Sequence, residues 1–168
     1  MDVIDTVRNT LSVYAESDVR ALLVSDHEAI CDLCRQLVEA ASGPSRLALV
    51  QRLQPLLAAH ARAEEDTVYA ALTKAEESTS RVTGFEGGVQ HQLADVALAG
   101  LAAKTEAPGE MWKAHAKVLH DLVDRHVCDE ENKTFEALGE LFSVEEREVL
   151  ATQFERRRAA LLAESAAP

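Results

Sequence analysis

The chain carries one short pattern twice, 66 residues apart, and this repeat constrains its fold more than any other feature. His60-Ala-Arg-Ala-Glu64 is matched by His126-Val-Cys-Asp-Glu130. Residues four apart lie one turn apart on the same face of a helix, so each pattern presents an imidazole and a carboxylate together. A lone histidine precedes each pattern, His27 by 33 residues and His91 by 35. The repeat therefore predicts four helices that face a shared interior.

Apolar residues recur with helical spacing around each of these histidines. The stretch 17–140 is predicted to form an all-α, up-down-up-down antiparallel four-helix bundle, because long helices joined by short loops favour this architecture. Residues 1–16 are expected to form an N-terminal arm or a short helix, and Ser17 is expected to cap the first long helix. Ser143 and Glu146 have capping-box spacing, which predicts a C-terminal helix over 143–164 packed on the bundle.

Composition narrows the function and the compartment. The 168 residues carry a net charge of −12, which argues against nucleic-acid binding because no excess of Lys and Arg exists to neutralise phosphates. The N-terminus lacks the pattern of a signal peptide, and no segment reaches the ~18 apolar residues of a membrane span. Three cysteines without secretory signals suggest a reducing compartment. We therefore expect a cytoplasmic protein without nucleic-acid or membrane partners.

The histidines and glutamates of the repeat all lie on apolar stripes, so folding would bury them. Burying that many polar groups costs several kcal/mol unless something binds them. Neutral imidazole suits iron, copper, zinc and nickel, and carboxylates can bridge two ions. The sequence therefore predicts a metal site. Its predicted ligands are His27, His60, Glu64, His91, His126 and Glu130.

In order and spacing, these residues resemble the hemerythrin-like (HHE cation-binding) domain family over about 17–139. The resemblance implies a non-haem di-iron centre: two iron ions joined by an oxo or hydroxo bridge, without haem. His27 and His60 would serve one iron, and His91 and His126 the other. Glu64 and Glu130 would bridge the two ions.

One position departs from the oxygen-carrying members of that family, which place a fifth histidine one turn after the third. This chain has Asp95 there. Asp95 could ligate directly, orient His91 from behind, or lie on the surface. With four protein ligands to each iron, both ions could keep an open position, which suits peroxide, nitric oxide or redox chemistry better than reversible oxygen carriage.

We therefore expect an oxidoreductase of stress defence that turns over hydrogen peroxide in a catalase-like reaction, or handles nitric oxide. One alternative is a non-catalytic protein that binds, stores or senses oxygen or iron. Another is an iron donor for the repair of iron–sulfur centres. The expected partners are small molecules (O2, H2O2 or NO), and the expected assembly is a monomer or a small homo-oligomer.

Other residues near the repeat have more than one interpretation. Cys31 and Cys34 form a CxxC on the first helix, which is predicted to be core packing, with thiol oxidation near the metal as the alternative. Glu65 and Glu131 follow the glutamates of the repeat and are expected to be solvated or to support the ligands. Tyr69 and Phe135 are expected to pack against a terminal helix rather than to line the metal pocket, with a radical or proton-donating role as the alternative for Tyr69.

Overall fold

The computed structural model describes residues 15 and 17–166, and within them it forms five helices and no strands. The expected N-terminal arm lies outside these residues, apart from position 15. The first and third helices are α1 (Val19–Glu39) and α3 (Ser78–Ala102). Helix α2 comprises Gly43–Glu64, a π-helical turn Glu65–Tyr69 and a last turn Ala70–Leu72. Helix α4 comprises Gly109–Asp129, a π-helical turn Glu130–Thr134 and Phe135–Leu141. Helix α5 is Val144–Ser165.

Helices α1 to α4 form a ring in which each packs against the next and α4 packs against α1. Short connections join them, so neighbours run antiparallel, and the predicted all-α bundle is confirmed. Helix α5 lies against α1 and α2. None of the described helices is long and apolar enough to cross a membrane.

Local sequence fixes where two of the helices begin. The side chain of Asp18, not that of Ser17 as expected, caps α1 by accepting a hydrogen bond from the backbone N–H of Arg20 at 3.0 Å. Ser143 and Glu146 form the predicted capping box at the start of α5. A carboxylate accepts hydrogen bonds more strongly than a hydroxyl, which accounts for the one-residue shift at α1.

The interior consists of two apolar clusters. One, at the end of the bundle with the α1–α2 loop, includes Leu37, Leu53 and Trp112. The other, at the end covered by α5, includes Leu23 and Phe154. The predicted ligands lie between these clusters. The packing therefore encloses a layer of polar groups on both sides.

Both helices that carry HxxxE contain a π-helical turn at its glutamate: in α2 the turn begins one residue after Glu64, and in α4 it begins at Glu130. A π-helical turn holds one more residue than an α-helical turn, so every later side chain is rotated backward around the axis. The same irregularity thus occurs at equivalent points of the two repeats. It changes which side chains beyond the glutamates face the interior.

Candidate metal centre

The structure brings all six predicted ligands to one place in the core. Each is at most 6% exposed. They form two overlapping groups whose candidate ligand atoms lie within 4.8 Å of one another, and both groups contain His60 and His126. The first group adds His27 and Glu130, and the second adds Glu64 and His91. The two groups together are consistent with a binuclear metal site.

The four imidazole rings form two closer pairs. The ring centroids of His27 and His60 are 5.1 Å apart, and those of His91 and His126 are 4.6 Å apart. Between the pairs the separations are larger, 6.1 Å for His60 and His91 and 6.3 Å for His27 and His126. The rings therefore fall into the two pairs that the family resemblance implies.

Each carboxylate reaches one histidine of each pair. Glu130 Oε2 lies 3.2 Å from His27 Nε2 and 3.3 Å from His126 Nε2. Glu64 Oε2 lies 3.3 Å from His91 Nε2 and 3.7 Å from His60 Nε2. A carboxylate that bridges two ions has to span both histidine pairs in this way, so the geometry suits a bridging role for both glutamates.

The outer nitrogens of two histidines are bound by the glutamates that follow the repeats. His27 Nδ1 lies 2.9 Å from Glu131, and His91 Nδ1 lies 3.2 Å from Glu65. Each pairing crosses between the two halves of the sequence. Glu65 and Glu131 therefore support the candidate ligands, which is one of the two roles expected for them.

The outer nitrogens of the other two histidines have partners that sequence reasoning missed. His60 Nδ1 lies 3.4 Å from Asp26, and His126 Nδ1 lies 2.9 Å from Gln90. With the Nδ1–H donated outward, each imidazole presents its Nε2 lone pair to the centre. The signal was present, since Asp26 and Gln90 each stand immediately before a lone histidine of the repeat.

Whether these residues fit a metal can be judged from the buried polar atoms that lack a well-formed hydrogen bond. Among the described residues they are His27 Nε2, the Tyr69 hydroxyl, and both oxygens of Glu64 and of Glu130. All belong to this one centre or line it. Buried polar groups in folded proteins are nearly always satisfied, and a cation satisfies nitrogen and oxygen lone pairs together. The residues therefore fit a bound metal.

The charges at this centre are strongly coupled. Burial, together with the charge of Glu130, raises the pKa of Glu64 well above its ordinary value. Burial would also raise the pKa of Glu130, but hydrogen bonds involving Glu64, His126 and His27 outweigh it and lower that pKa. In the same way, Glu130 and Glu131 overcome the burial of His27 and raise its pKa to about 9. Without metal, bound protons on these side chains therefore balance part of the buried negative charge.

The pKa values of two other histidines of the centre, His60 and His126, are shifted downward. Burial lowers the pKa of His60 to about 4, although Asp26 opposes the shift. Burial likewise lowers the pKa of His126. Both imidazoles are therefore neutral at pH 7, the form in which imidazole binds a metal.

Asp95 does not join the centre. Its side chain is exposed on α3, and it belongs to neither candidate metal group. Of the three interpretations given above for Asp95, the structure agrees with a surface position. One helical turn after His91, the neighbouring buried position is Ala94, so the face of α3 that continues inward is apolar.

Tyr69 and Phe135 lie against the histidines, so the expectation that they avoid the metal pocket was wrong. The Tyr69 ring stacks on His91 at a centroid distance of 5.5 Å, and the Phe135 ring on His27 at 6.5 Å. An ideal helix would place them on the opposite side, but Tyr69 ends one π-helical turn and Phe135 directly follows the other, and these turns rotate both side chains inward. Both rings also belong to the apolar cluster that includes part of α5.

The cysteines stand apart from the candidate ligands. Cys34 is buried in the apolar cluster near Trp112, and Cys31 packs against that cluster. Burial raises the pKa of the Cys31 thiol to about 11 and that of Cys34 to about 12. Both therefore remain neutral thiols at pH 7, as expected of core residues.

A helical bundle whose core holds two overlapping groups of buried imidazoles and carboxylates defines a cation-binding domain of the binuclear kind. Comparison with known families agrees. The hemerythrin HHE cation binding domain matches residues 18–138, and the chain belongs to that family. No curated protein and no solved structure matches it significantly.

Proposed function

We propose that this centre holds two iron ions and that the protein turns over a small oxidant. Hydrogen peroxide, in a catalase-like reaction, is the first candidate, and nitric oxide is the second. The observation that carries the proposal is a small apolar cavity that abuts all four imidazoles. Its other walls are Ile30, Leu57, Ala94, Val123 and Val127.

The cavity limits what can react. It has room for about one water-sized molecule, so a reactant with two heavy atoms, such as peroxide or nitric oxide, fits with little adjustment. Its apolar walls offer such a molecule no hydrogen bonds away from the imidazoles. Larger organic substrates are disfavoured because closely packed helices surround the cavity.

The donor set supports iron as the metal. It consists of imidazoles and carboxylates, without a thiolate in either candidate group. These ligands suit non-haem iron, while soft thiolates would favour copper(I), zinc or an iron–sulfur cluster. Two imidazoles and two shared carboxylates give each ion four protein ligands, which leaves positions for a reactant. Two bound iron ions would supply the pair of electrons that peroxide disproportionation passes back and forth.

The protein groups around the ions would hold the geometry and manage protons. Glu131 and Glu65 fix two of the rings through their Nδ1 atoms, so the Nε2 atoms stay directed inward. Tyr69 presents a hydroxyl whose pKa is raised by burial and by the charges of Glu130 and Glu64, so it keeps its proton at neutral pH. In disproportionation, two peroxide molecules yield two of water and one of oxygen, and two protons pass with two electrons from one peroxide to the other. Tyr69 does not line the cavity, but its hydroxyl lies beside Glu64, so it would relay one of these protons through that carboxylate by giving up its own proton and taking up another.

The test is to load the purified protein with iron, record its absorption spectrum and follow oxygen release after peroxide is added. Sustained release that is lost in His60→Ala and Glu130→Ala, but kept in the control His120→Ala, would support the proposal. A stable oxygenated absorption band without turnover would instead favour carriage or sensing. Failure to retain iron in a folded protein would refute the proposal.

A substitution that fills the cavity tests whether the reactant binds there, and a matched substitution outside the cavity controls for general effects on folding. Ala94→Leu places a larger side chain in the cavity, and Ala99→Leu makes the same change at an exposed position of the same helix. We expect Ala94→Leu to lower turnover at least tenfold while iron content stays at the wild-type level. Equal turnover in the two variants would show that the reactant does not use this cavity.

A further inference from the structure

Helix α3 carries a continuous apolar stripe on its outer surface. The ten large hydrophobic side chains that are exposed in the described part of the chain include five on α3 and at most two on any other helix. The five are Val82, Phe85, Val89, Leu93 and Val96, each more than half exposed. Their spacings of three, four, four and three residues place them along one line, which we name the α3 stripe.

Within the described residues, nothing covers the α3 stripe. Helix α3 packs against α2 and α4, and the fifth helix lies against α1 and α2. Isolated exposed apolar side chains are ordinary, but a contiguous row of this size marks an interaction surface. The first and last side chains of the row are 14 positions apart, so the row is about 21 Å long at the helical rise.

We propose that the α3 stripe is the interface of a homodimer in which the α3 helices of two copies pack antiparallel across a two-fold axis. The charge distribution favours a second copy as the occupant. The protein has a net charge of −12, so two copies repel each other wherever carboxylates meet. The α3 stripe is made of uncharged side chains, and Gly88 and Gly100 leave open space beside it for close approach.

The size of the surface also suits a dimer. Two such stripes with their flanking residues bury on the order of 1,000 Å² when they face each other, the lower limit for a specific interface. An interface near this lower limit is expected to be weak, and we expect a dissociation constant on the order of micromolar. In a two-fold symmetric pair the same stripe of each copy forms the whole interface, so no second complementary surface is needed.

The antiparallel orientation follows from Glu86, the carboxylate nearest the middle of the α3 stripe. A parallel pairing in register would place the two Glu86 side chains opposite each other, which is unfavourable. Antiparallel pairing centred on Val89 separates them by about 9 Å along the axis. It also places Val89 against its own copy and Val82 against Val96 of the second copy.

Analytical ultracentrifugation of the full chain over about 1–100 μM, a range that brackets the expected dissociation constant, tests the proposal. We expect a dimer whose dissociation constant rises at least 100-fold in Val89→Lys. The matched control is Val149→Lys on α5, because Val149 and Val89 are both 55% exposed. Circular dichroism of both variants verifies folding, and neither substitution touches the metal centre.

Disulfide crosslinking tests the register in a Cys128→Ser background, since Cys128 is an exposed free thiol. Val89→Cys should oxidise to a covalent dimer, and Val82→Cys with Val96→Cys should do so together but not singly. A chain that stays monomeric at 100 μM would overturn the proposal, and the α3 stripe would then have another occupant. A dimer that Val89→Lys leaves intact would overturn it as well.

Discussion

Asp26 and Gln90 occupy equivalent positions in the two halves of the centre, but one binds its histidine with a carboxylate and the other with an amide. Asp26 precedes His27 and reaches His60, while Gln90 precedes His91 and reaches His126. A carboxylate behind an imidazole makes it a stronger electron donor to a metal than an amide does. The two halves of the candidate centre are therefore chemically different, although the repeat in the sequence is nearly symmetric.

The groups behind these two residues widen the difference. Arg158 of α5 donates a hydrogen bond to Asp26. Behind Gln90 stands Asp129, which accepts a hydrogen bond from the Gln90 amide at 3.1 Å. Arg158 thus backs one half of the centre, and Asp129, which is itself paired with Arg125 and Lys133, backs the other. Helix α5, which lies beyond the matched family region, contributes to the first half through Arg158.

Removing the Asp26 carboxylate should weaken one metal position selectively. Asp26→Asn is expected to lower the affinity of the ion beside His60 about 10–100-fold, the usual effect of losing a partner behind a ligand. Metal content after dialysis against a graded chelator series would then show one ion lost before the other.

Arg158→Gln should have the same effect to a smaller degree, because Arg158 holds Asp26 in place. Arg157→Gln is the matched control, since Arg157 pairs with the exposed Asp66 at 2.7 Å and not with Asp26. Loss of both ions together in Asp26→Asn would show that the two positions are not distinguished in this way.

Metal uptake should release protons. Without metal, the pKa of His27 is about 9, so its imidazole is protonated at pH 7, and burial together with the charge of Glu130 raises the pKa of Glu64 well above its ordinary value. Metal binding needs the neutral imidazole and the carboxylate, so His27 releases its proton, any proton on Glu64 leaves with it, and the affinity rises with pH between 6 and 8. Calorimetric titration with zinc, a redox-inert probe, in buffers of different ionisation enthalpy measures this release. An affinity independent of pH would contradict the prediction.

Two adjacent glycines of α3 should respond oppositely to alanine. A Cβ at Gly87 would overlap the Tyr69 ring, whereas one at Gly88 meets nothing within 4 Å. Gly88→Ala should therefore stabilise the protein by up to ~1 kcal/mol through helix propensity. Gly87→Ala should destabilise it by about 1–3 kcal/mol, since the well-packed core must shift. Thermal unfolding compares the two variants.

The Gly87 substitution should also disturb the centre, because Tyr69 stacks on His91. Lower metal affinity is expected in Gly87→Ala, with wild-type affinity in Gly88→Ala. If both glycines accept alanine with equal stability and equal metal affinity, then Tyr69 does not occupy the position described.

Asp18 should stabilise the junction of α1 and α5 only above acidic pH. Burial would raise its pKa, but hydrogen bonds from Arg20 and Arg147 outweigh burial and lower it to about 2. A depressed folded-state pKa contributes stability that is present above the unfolded value of about 4 and is lost as pH falls toward 2. Asp18→Asn should therefore cost about 1–2 kcal/mol at pH 7, as expected for hydrogen bonds to a charged group.

Thermal unfolding of wild type and Asp18→Asn between pH 3 and pH 7 measures this difference, which should narrow below pH 4. Asp121→Asn serves as the control, because the Asp121 side chain is 72% exposed and should change stability by less than ~0.5 kcal/mol. A difference that stays constant over the whole pH range would argue against the ion pairs as its source.

Sequence reasoning reached the helices and the six convergent residues because both depend on local spacing. The interval between His60 and Glu64 sets one helical turn whatever the rest of the chain does, and the apolar stripes determine which face turns inward. Asp95 and Tyr69 show where this reasoning fails. The surface position of Asp95 depends on how α3 is rotated in the bundle, and Tyr69 turns inward only because of a π-helical turn.

By itself, then, the sequence determined that four helices would each bring a histidine to a common core, two of them with a glutamate. Only the tertiary structure decided which group stands behind each histidine, because those partners come from different helices. The hydrogen bonds of Asp26 to His60 and of Gln90 to His126 join residues 34 and 36 positions apart. Spacing along a helix cannot specify such contacts. They arise when packing sets which helices are neighbours and how each is rotated, and that packing makes the two halves of the centre unequal.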